Sequence, residues 1–152
     1  MPKETSAGAV IFRKEDNQTL YLLLQYKTKA HHWDLVKGYI EENETEIETV
    51  KREVKEETGL QDIEIIDGFK EWIKYSFRDT YNLKEGSKEK ASFIFKIVTF
   101  YLAETKTQKV KISFEHAEYK WLPYEQALEQ ITFKKAKGVL EKANNFLKKD
   151  IE

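Results

Sequence analysis

The sequence predicts an α/β (α+β) fold in which a mixed β-sheet is flanked by α-helices. Three observations support this prediction. Runs of apolar, β-branched and aromatic residues, typical of strands, recur along the chain. Two other stretches carry apolar residues at helical spacing. Strand and helix patterns do not alternate strictly, which favours a mixed sheet over a doubly wound parallel one.

The first third of the chain predicts a β-hairpin followed by irregular structure. Residues 6–13 and 20–26 are the two strand-like runs, and the polar residues 14–19 between them predict the turn. Residues 31–36 predict a short extended segment, and residues 38–43 predict a loop.

A helix is predicted to begin near Thr45. Thr45 and Glu48 have the spacing of a capping box, in which each residue binds the backbone of the other. Gly59 stands where a glycine ends a helix. The apolar residues that recur at helical spacing, and so predict the buried face, are Ile47, Val50 and Val54.

The remaining strands are predicted at residues 63–77, 91–103 and 117–122, with the second of these central in the sheet. Residues 79–90 are polar, include Gly86 and Ser87, and predict a turn or loop.

Two helices are predicted at the end of the chain. Pro123 suits the first turn of a helix that runs to about Gln130. The last helix has six lysines, which favour a solvated face. Its apolar stripe is Phe133, Ala136, Leu140, Ala143 and Leu147.

Composition limits the classes of function. A length of 152 residues with 40% hydrophobic content predicts one domain spanning residues 1–152. There is no cysteine, which excludes disulfides and thiolate chemistry. A net charge of −1 argues against a stable nucleic-acid partner. With no membrane-length apolar run and no signal-peptide pattern, a cytoplasmic location is expected. The oligomeric state is left open.

Acidic residues share one face of the first predicted helix. Glu53, Glu56 and Glu57 fall at positions i, i+3 and i+4, so their carboxylates lie together. Like charges this close repel each other, and oxygen ligands in this number suit Mg²⁺ or Mn²⁺. The alternative, a charged surface helix without a ligand, stays open on spacing alone.

The wider pattern resembles the Nudix box, Gly-x5-Glu-x7-Arg-Glu-U-x-Glu-Glu-x-Gly-U, where U is apolar. Every position agrees: Gly38, Glu44, Arg52, Glu53, Val54, Glu56, Glu57, Gly59 and Leu60. Agreement at this many positions by chance is negligible. The resemblance implies a Nudix fold, with the sheet sandwiched between helices, and Mg²⁺- or Mn²⁺-dependent hydrolysis of a nucleoside diphosphate linked to another moiety.

The resemblance also implies roles for individual residues. A divalent cation neutralises the pyrophosphate and lowers the pKa of a bound water. Glu53 and Glu57 are the leading implied ligands. The full set implied to bind metal is the Gly38 carbonyl, Glu53, Glu56, Glu57 and Glu115. The implied catalytic residues are Arg52, which would orient a carboxylate, and Glu53, Glu56, Glu57 and Glu115, of which one box glutamate would act as general base.

Segments outside the box resemble the asymmetrical diadenosine tetraphosphate hydrolases along almost the whole chain. Examples are His31-His32-Trp33, Phe114-Glu115-His116 and Phe133. The implied reaction is cleavage into ATP and AMP. The implied substrate-binding residues are His32, Trp33, Lys37, Tyr75, Lys96 and Phe133, with the lysines on phosphates and Tyr75 on adenine. Taken singly, Tyr75 and Phe133 fit core positions better, and Lys96 fits a solvent-facing strand equally well.

This chain departs from that family at two places beside the box. Val36 stands where the family commonly has proline, and Tyr39 stands where it has histidine. Neither change touches the metal carboxylates, but both bear on the substrate. The first alternative that stays open is a Nudix pyrophosphohydrolase acting on RNA 5′ ends or modified nucleoside triphosphates. A different class, a catalytically inactive Nudix nucleotide-binding module, is the second alternative, although such proteins typically lose box glutamates and this chain keeps all of them.

Overall fold

Eight strands form one mixed sheet in the computed structural model, which describes residues 3–28, 30–79 and 92–151. The long strands β1 and β7 pair in parallel at its centre, and the other strand pairs are antiparallel. The strands are β1 (Lys3–Glu15), β2 (Gln18–Tyr26), β3 (Trp33–Asp34), β4 (Val36–Tyr39), β5 (Glu64–Ile65), β6 (Glu71–Asp79), β7 (Ser92–Glu104) and β8 (His116–Pro123).

The predicted hairpin is confirmed. β1 and β2 pair antiparallel around the two residues Asp16 and Asn17, whose φ angles are 50° and 67°. Positive φ at both central residues is the backbone of the tight turns that match the twist of a hairpin, and Asp and Asn tolerate it better than most residues. The prediction that residues 91–103 form a central strand is also confirmed, since β7 lies between β1 on one side and β5 and β6 on the other.

Helices cover the sheet on both faces, as predicted. They are α1 (Glu46–Thr58), α2 (Tyr124–Gln130) and α3 (Lys134–Ile151). Successive β1 residues point to opposite faces. Ile11 packs in the core that contains Val50 and Val54 of α1, whereas Phe12 packs in the core that contains Leu140 of α3. Among the described helices, none combines the length and apolarity needed to cross a membrane.

Two predictions of local structure were wrong. Gly38 and Tyr39 belong to β4 rather than to a loop, because the first half of β1 supplies a pairing edge for Val36–Tyr39. Residues 63–77 are two strands, β5 and β6, rather than one, and Gly68 lies between them with a φ of 94°. The predicted loop 79–90 lies, apart from Asp79, outside the described residues.

Candidate active site

Helix α1 is fixed at both ends by the groups that the sequence predicts. The Thr45 hydroxyl accepts a hydrogen bond from the Glu48 backbone N–H at 3.1 Å, and the Glu48 carboxylate accepts one from the Thr45 N–H at 3.1 Å. Gly59 ends the helix in the left-handed conformation and donates to the Lys55 carbonyl. These caps, with Val50 and Val54 buried against the sheet, set which face of the helix its carboxylates occupy.

Arg52 holds several acidic side chains and one strand end together. Its guanidinium donates to both Glu44 oxygens, at 2.7 and 3.0 Å, and to Glu53 Oε1 at 2.7 Å. It also donates to the Tyr39 carbonyl at 2.9 Å and to Glu56 Oε2 at 3.3 Å. The Arg52 bonds, together with the Thr49 hydroxyl, lower the pKa of Glu44 to about 2. Glu44 is therefore ionised at neutral pH and anchors Arg52.

Glu57 is a buried carboxylate with an unpartnered oxygen. It is 6% exposed, and within the part of the chain that the structure describes its Oε2 has no hydrogen-bond partner. Burial, followed by the charges of Glu53 and Glu115, raises its pKa to about 8. His116 Nε2 lies 3.4 Å from Glu57 Oε1, but burial lowers the pKa of His116, so this imidazole brings no positive charge. Glu53 and Glu115 thus place negative charge beside the buried Glu57 carboxyl group, and His116 does not offset it.

Gly38 gives Glu53 its space. Any Cβ at position 38 would overlap the Glu53 carboxylate, so the backbone of β4 and the tip of this side chain are in close approach. The Glu53 carboxylate therefore lies between Arg52, which donates to it, and the Gly38 backbone of β4.

A divalent cation fits this donor set. The orphaned Glu57 Oε2 and the raised pKa of Glu57 are what a carboxylate cluster shows before a cation neutralises it. Carboxylates are the ligands that Mg²⁺ and Mn²⁺ prefer. In the described ranges no three His, Cys, Asp or Glu side chains already converge as a ligand set, and Arg52 pairs with Glu53 and Glu56.

A cavity of about 730 Å³ opens over these carboxylates. Eight of the residues predicted as functional line it: Lys37, Gly38, Arg52, Glu53, Glu56, Glu57, Lys96 and Glu115. Glu46, in the first turn of α1, does not line this cavity; it accepts a hydrogen bond from Tyr101 at 3.0 Å and pairs with Lys70 at 3.3 Å. We call this space the acidic cavity.

A second cavity, of about 360 Å³, adjoins the first and has an aromatic lining. Tyr75 and Phe133 line it, and Lys37 lines both cavities. Lys37 Nζ lies 2.5 Å from Oδ2 of the buried Asp34, which fixes the lysine between the two spaces. Lys96 lines the acidic cavity and is the strand partner of Tyr75, which lines the second cavity, so Lys96 also lies where the two cavities meet. We call this space the aromatic cavity.

The single-residue interpretation of Phe133 as core is wrong, since the ring is 42% exposed and lines the aromatic cavity. His32 packs against it, with ring centroids 4.7 Å apart. Trp33, by contrast, is 7% exposed, belongs to the core on the α3 side and lines neither cavity. Trp33 belongs to β3 and pairs with Gln25 of β2, whereas His32 precedes the strand.

Comparisons with known proteins agree with the geometry. A family model for the NUDIX domain matches residues 2–143. The chain belongs to the Nudix family. A Mus musculus protein named bis(5′-nucleosyl)-tetraphosphatase (asymmetrical) is 36% identical over 152 residues, covering 93% of this chain and 94% of that protein.

Two further relatives of this Nudix hydrolase bear on its activity. An RNA pyrophosphohydrolase of Nitratiruptor sp. is 30% identical over 122 residues, covering 78% of this chain and 75% of that protein. The crystal structure of a C. elegans Ap4A hydrolase binary complex superposes with a TM-score of 0.78 at 28% identity, covering 95% of this chain and 97% of that one.

The sequence analysis gave no individual role to four residues of this Nudix site, although Phe114 and His116 belong to a segment that carries the family resemblance. Asp34 and His116 are buried partners of Lys37 and Glu57. Tyr26 lines the acidic cavity, and its ring centroid lies 4.7 Å from that of His116. Phe114 lines the acidic cavity from the loop before β8. An acid in an apolar segment could have indicated Asp34, whereas the contacts of Tyr26, Phe114 and His116 depend on long-range packing.

Replacing Gly38 with Ala is expected to lower kcat/KM of this Nudix hydrolase roughly 100-fold, because the new methyl group displaces the Glu53 carboxylate. The fold should persist, since the overlap is with the end of a flexible side chain. Steady-state kinetics and a melting curve measure both effects. Gly138→Ala in α3, where a Cβ meets nothing within 4 Å, is the matched control. Unchanged kinetics in Gly38→Ala would contradict the placement of Glu53.

Proposed function

We propose that this Nudix hydrolase cleaves dinucleoside polyphosphates in the presence of Mg²⁺ or Mn²⁺, with diadenosine tetraphosphate going to ATP and AMP. The observation that carries the proposal is the pair of adjoining cavities. One is acidic, the other aromatic, and Lys37 lines both. The resemblance to the mouse protein over 93% of the chain supports the choice of substrate.

In this proposal the aromatic cavity takes one adenine. Tyr75 and Phe133 offer rings to its faces, and stacking on aromatic side chains is a common way to hold a base. His32 supports the Phe133 ring from the side. Trp33, which lies in the core, has no direct contact role here.

Lys37 and Lys96 bind the phosphates that leave this cavity. Asp34 holds Lys37 in place and keeps it charged, so that its pKa is raised despite burial. Burial and the nearby charge of Lys37 lower the pKa of Lys96. Two lysines this close are favourable when an anion lies between them, because each ammonium group then has a counter-charge.

The acidic cavity performs the cleavage. Glu53, Glu56, Glu57, Glu115 and the Gly38 carbonyl would hold the divalent cation, which supplies Lewis acidity and a water of lowered pKa. Water attacks the phosphorus nearest one nucleoside, the P–O bond to the rest of the polyphosphate breaks, and a box glutamate accepts the proton. Arg52 does not touch substrate in this proposal; it orients Glu53 and Glu56.

Incubation of the purified chain with diadenosine tetraphosphate and Mg²⁺ tests the proposal. ATP and AMP are expected in equal amounts, with activity lost on chelation and restored by adding Mg²⁺ or Mn²⁺. Two molecules of ADP from each substrate molecule would contradict asymmetric cleavage. Turnover in the presence of excess chelator would contradict the proposed role of the carboxylates.

Pyrophosphate removal from RNA 5′ ends is the second candidate. The Nitratiruptor relative, 30% identical over 78% of this chain, favours it. Both candidates use the acidic cavity and differ in what lies beyond it: a second nucleoside in one, an RNA strand in the other. Triphosphorylated RNA is the substrate that separates them.

A further inference from the structure

Two exposed aromatic rings stand at the edge of the acidic cavity. Phe114 is 83% exposed and Tyr39 is 55% exposed, and both line the cavity that holds the carboxylates. A single exposed aromatic side chain needs no explanation. Two exposed rings on one phosphate-cleaving cavity do need an explanation, because neither ring is a cation ligand and neither carries a positive charge that would bind phosphate.

The Tyr39 ring is held on the lysine side of the cavity. Tyr39 and Lys37 are two residues apart on β4, so their side chains leave the sheet on the same face. The Tyr39 hydroxyl donates to Glu4 Oε2 at 3.3 Å, and Lys96 Nζ lies 5.0 Å from the centre of the ring. The hydroxyl end of the ring is therefore held, while Tyr39 stays 55% exposed.

The Phe114 ring stands on an anchored backbone on the carboxylate side. Its neighbour Ser113 donates from its backbone N–H to the Glu57 carbonyl at 3.3 Å. The Ser113 hydroxyl lies 2.9 Å from Nδ1 of the buried His116. The residues on either side of Phe114 and Glu115 are thus fixed to α1 and to the core, while the Phe114 side chain points out of the packed protein.

We infer that Tyr39 and Phe114 form a second base-binding site, which takes the nucleoside at the far end of a dinucleoside polyphosphate. The inference rests on the proposed function and adds where the second base lies. One base occupies the aromatic cavity, the phosphate chain passes Lys37, and the other base meets the exposed rings at the edge of the acidic cavity. Stacking without hydrogen-bond readout tolerates different bases, so this end accepts purines and pyrimidines alike.

The test compares two substrates that have four phosphates each but differ in the number of nucleosides: diadenosine tetraphosphate has two adenosines, and adenosine 5′-tetraphosphate has one. The measured quantity is the ratio of kcat/KM for the first to kcat/KM for the second. Loss of a stacking ring is expected to lower this ratio roughly tenfold in Phe114→Ala and in Tyr39→Ala. Phe114→Tyr, which keeps a ring, should keep the wild-type ratio.

Trp72→Ala is the matched control, because Trp72 is 62% exposed on β6 and lines neither cavity. Its ratio should equal that of the wild type. If the ratio stayed unchanged in Phe114→Ala and Tyr39→Ala, the second base site would be overturned, whether or not the two activities fell together. A wild-type chain that leaves diadenosine tetraphosphate intact would instead overturn the proposed function, so the two failures are distinguishable.

Discussion

Glu57→Gln is expected to reduce kcat roughly 1000-fold while leaving the fold as stable as the wild type. The carboxyl group is buried, and its Oε2 has no hydrogen-bond partner among the described residues, so this oxygen is available to a cation. Glutamine has the same shape but no charge, and it cannot neutralise or position a divalent ion. Loss of one preorganised electrostatic group in a catalytic site costs on the order of 100- to 1000-fold.

Stability separates this expectation from simple damage to the core. Ionising a buried carboxylate costs free energy, as the raised pKa of Glu57 reflects, and the neutral amide avoids that cost. Without metal, the melting temperature of Glu57→Gln should equal or exceed that of the wild type. With millimolar Mg²⁺, the wild type should gain stability through binding and the variant should gain less.

Glu64→Gln is the control, because Glu64 is exposed on β5 and lines neither of the two cavities. It should match the wild type in kcat, in melting temperature and in the gain from Mg²⁺. If Glu57→Gln kept its activity with Mg²⁺, the assignment of the metal site to this carboxylate would be wrong.

Arg52→Ala is expected to lower both stability and activity. Arg52 is the cation shared by Glu44, Glu53 and Glu56, and its removal leaves these acids facing one another. Losing one partner of a buried ion pair costs about 3–5 kcal/mol, and partial exposure of this network reduces the expected loss to roughly 1–3 kcal/mol. Chemical denaturation measures it. Lys51→Ala, an exposed change on the same helix, should have little effect.

The stability difference should depend on pH in a defined direction. The pKa of Glu44 is lowered from 4.5 to about 2 in the fold, first of all by its hydrogen bonds from Arg52. A lowered carboxyl pKa stabilises the fold above the unfolded-state value and stops doing so as pH falls through the folded-state value. The gap in unfolding free energy between wild type and Arg52→Ala should therefore be full above about pH 5 and shrink towards pH 2. A gap that stays constant down to pH 2 would argue against the Glu44–Arg52 pair.

Local signals made α1 predictable from the sequence. Its capping box, its apolar stripe and Gly59 all act within a few residues of the helix, and the structure contains each of them. The assignment of Gly38 and Tyr39 to a loop failed for the opposite reason. Their strand exists because the distant segment Ser6–Ala9 of β1 offers a pairing edge, and no local pattern records that.

The acidic half of the site was predictable for the same reason as α1, since most of its carboxylates sit on one helix at fixed spacing. The other half assembles from separate elements. Asp34 meets Lys37 across a strand break, and His116 reaches Glu57 from the start of β8. Burial, which separates Trp33 from its neighbour His32, is likewise a property of the assembled sheet. Phe114 and Tyr39 became candidates only through their shared exposure on one cavity.

The central claim is that the acidic and aromatic cavities together serve a dinucleoside polyphosphate. The most direct test measures kcat/KM of one Mg²⁺-loaded preparation for diadenosine tetraphosphate and for 5′-triphosphorylated RNA under identical conditions. At least a tenfold preference for diadenosine tetraphosphate is expected, with ATP and AMP as its products. Equal or faster turnover of the RNA would contradict the claim and would favour pyrophosphate removal from RNA 5′ ends as the function of the acidic cavity.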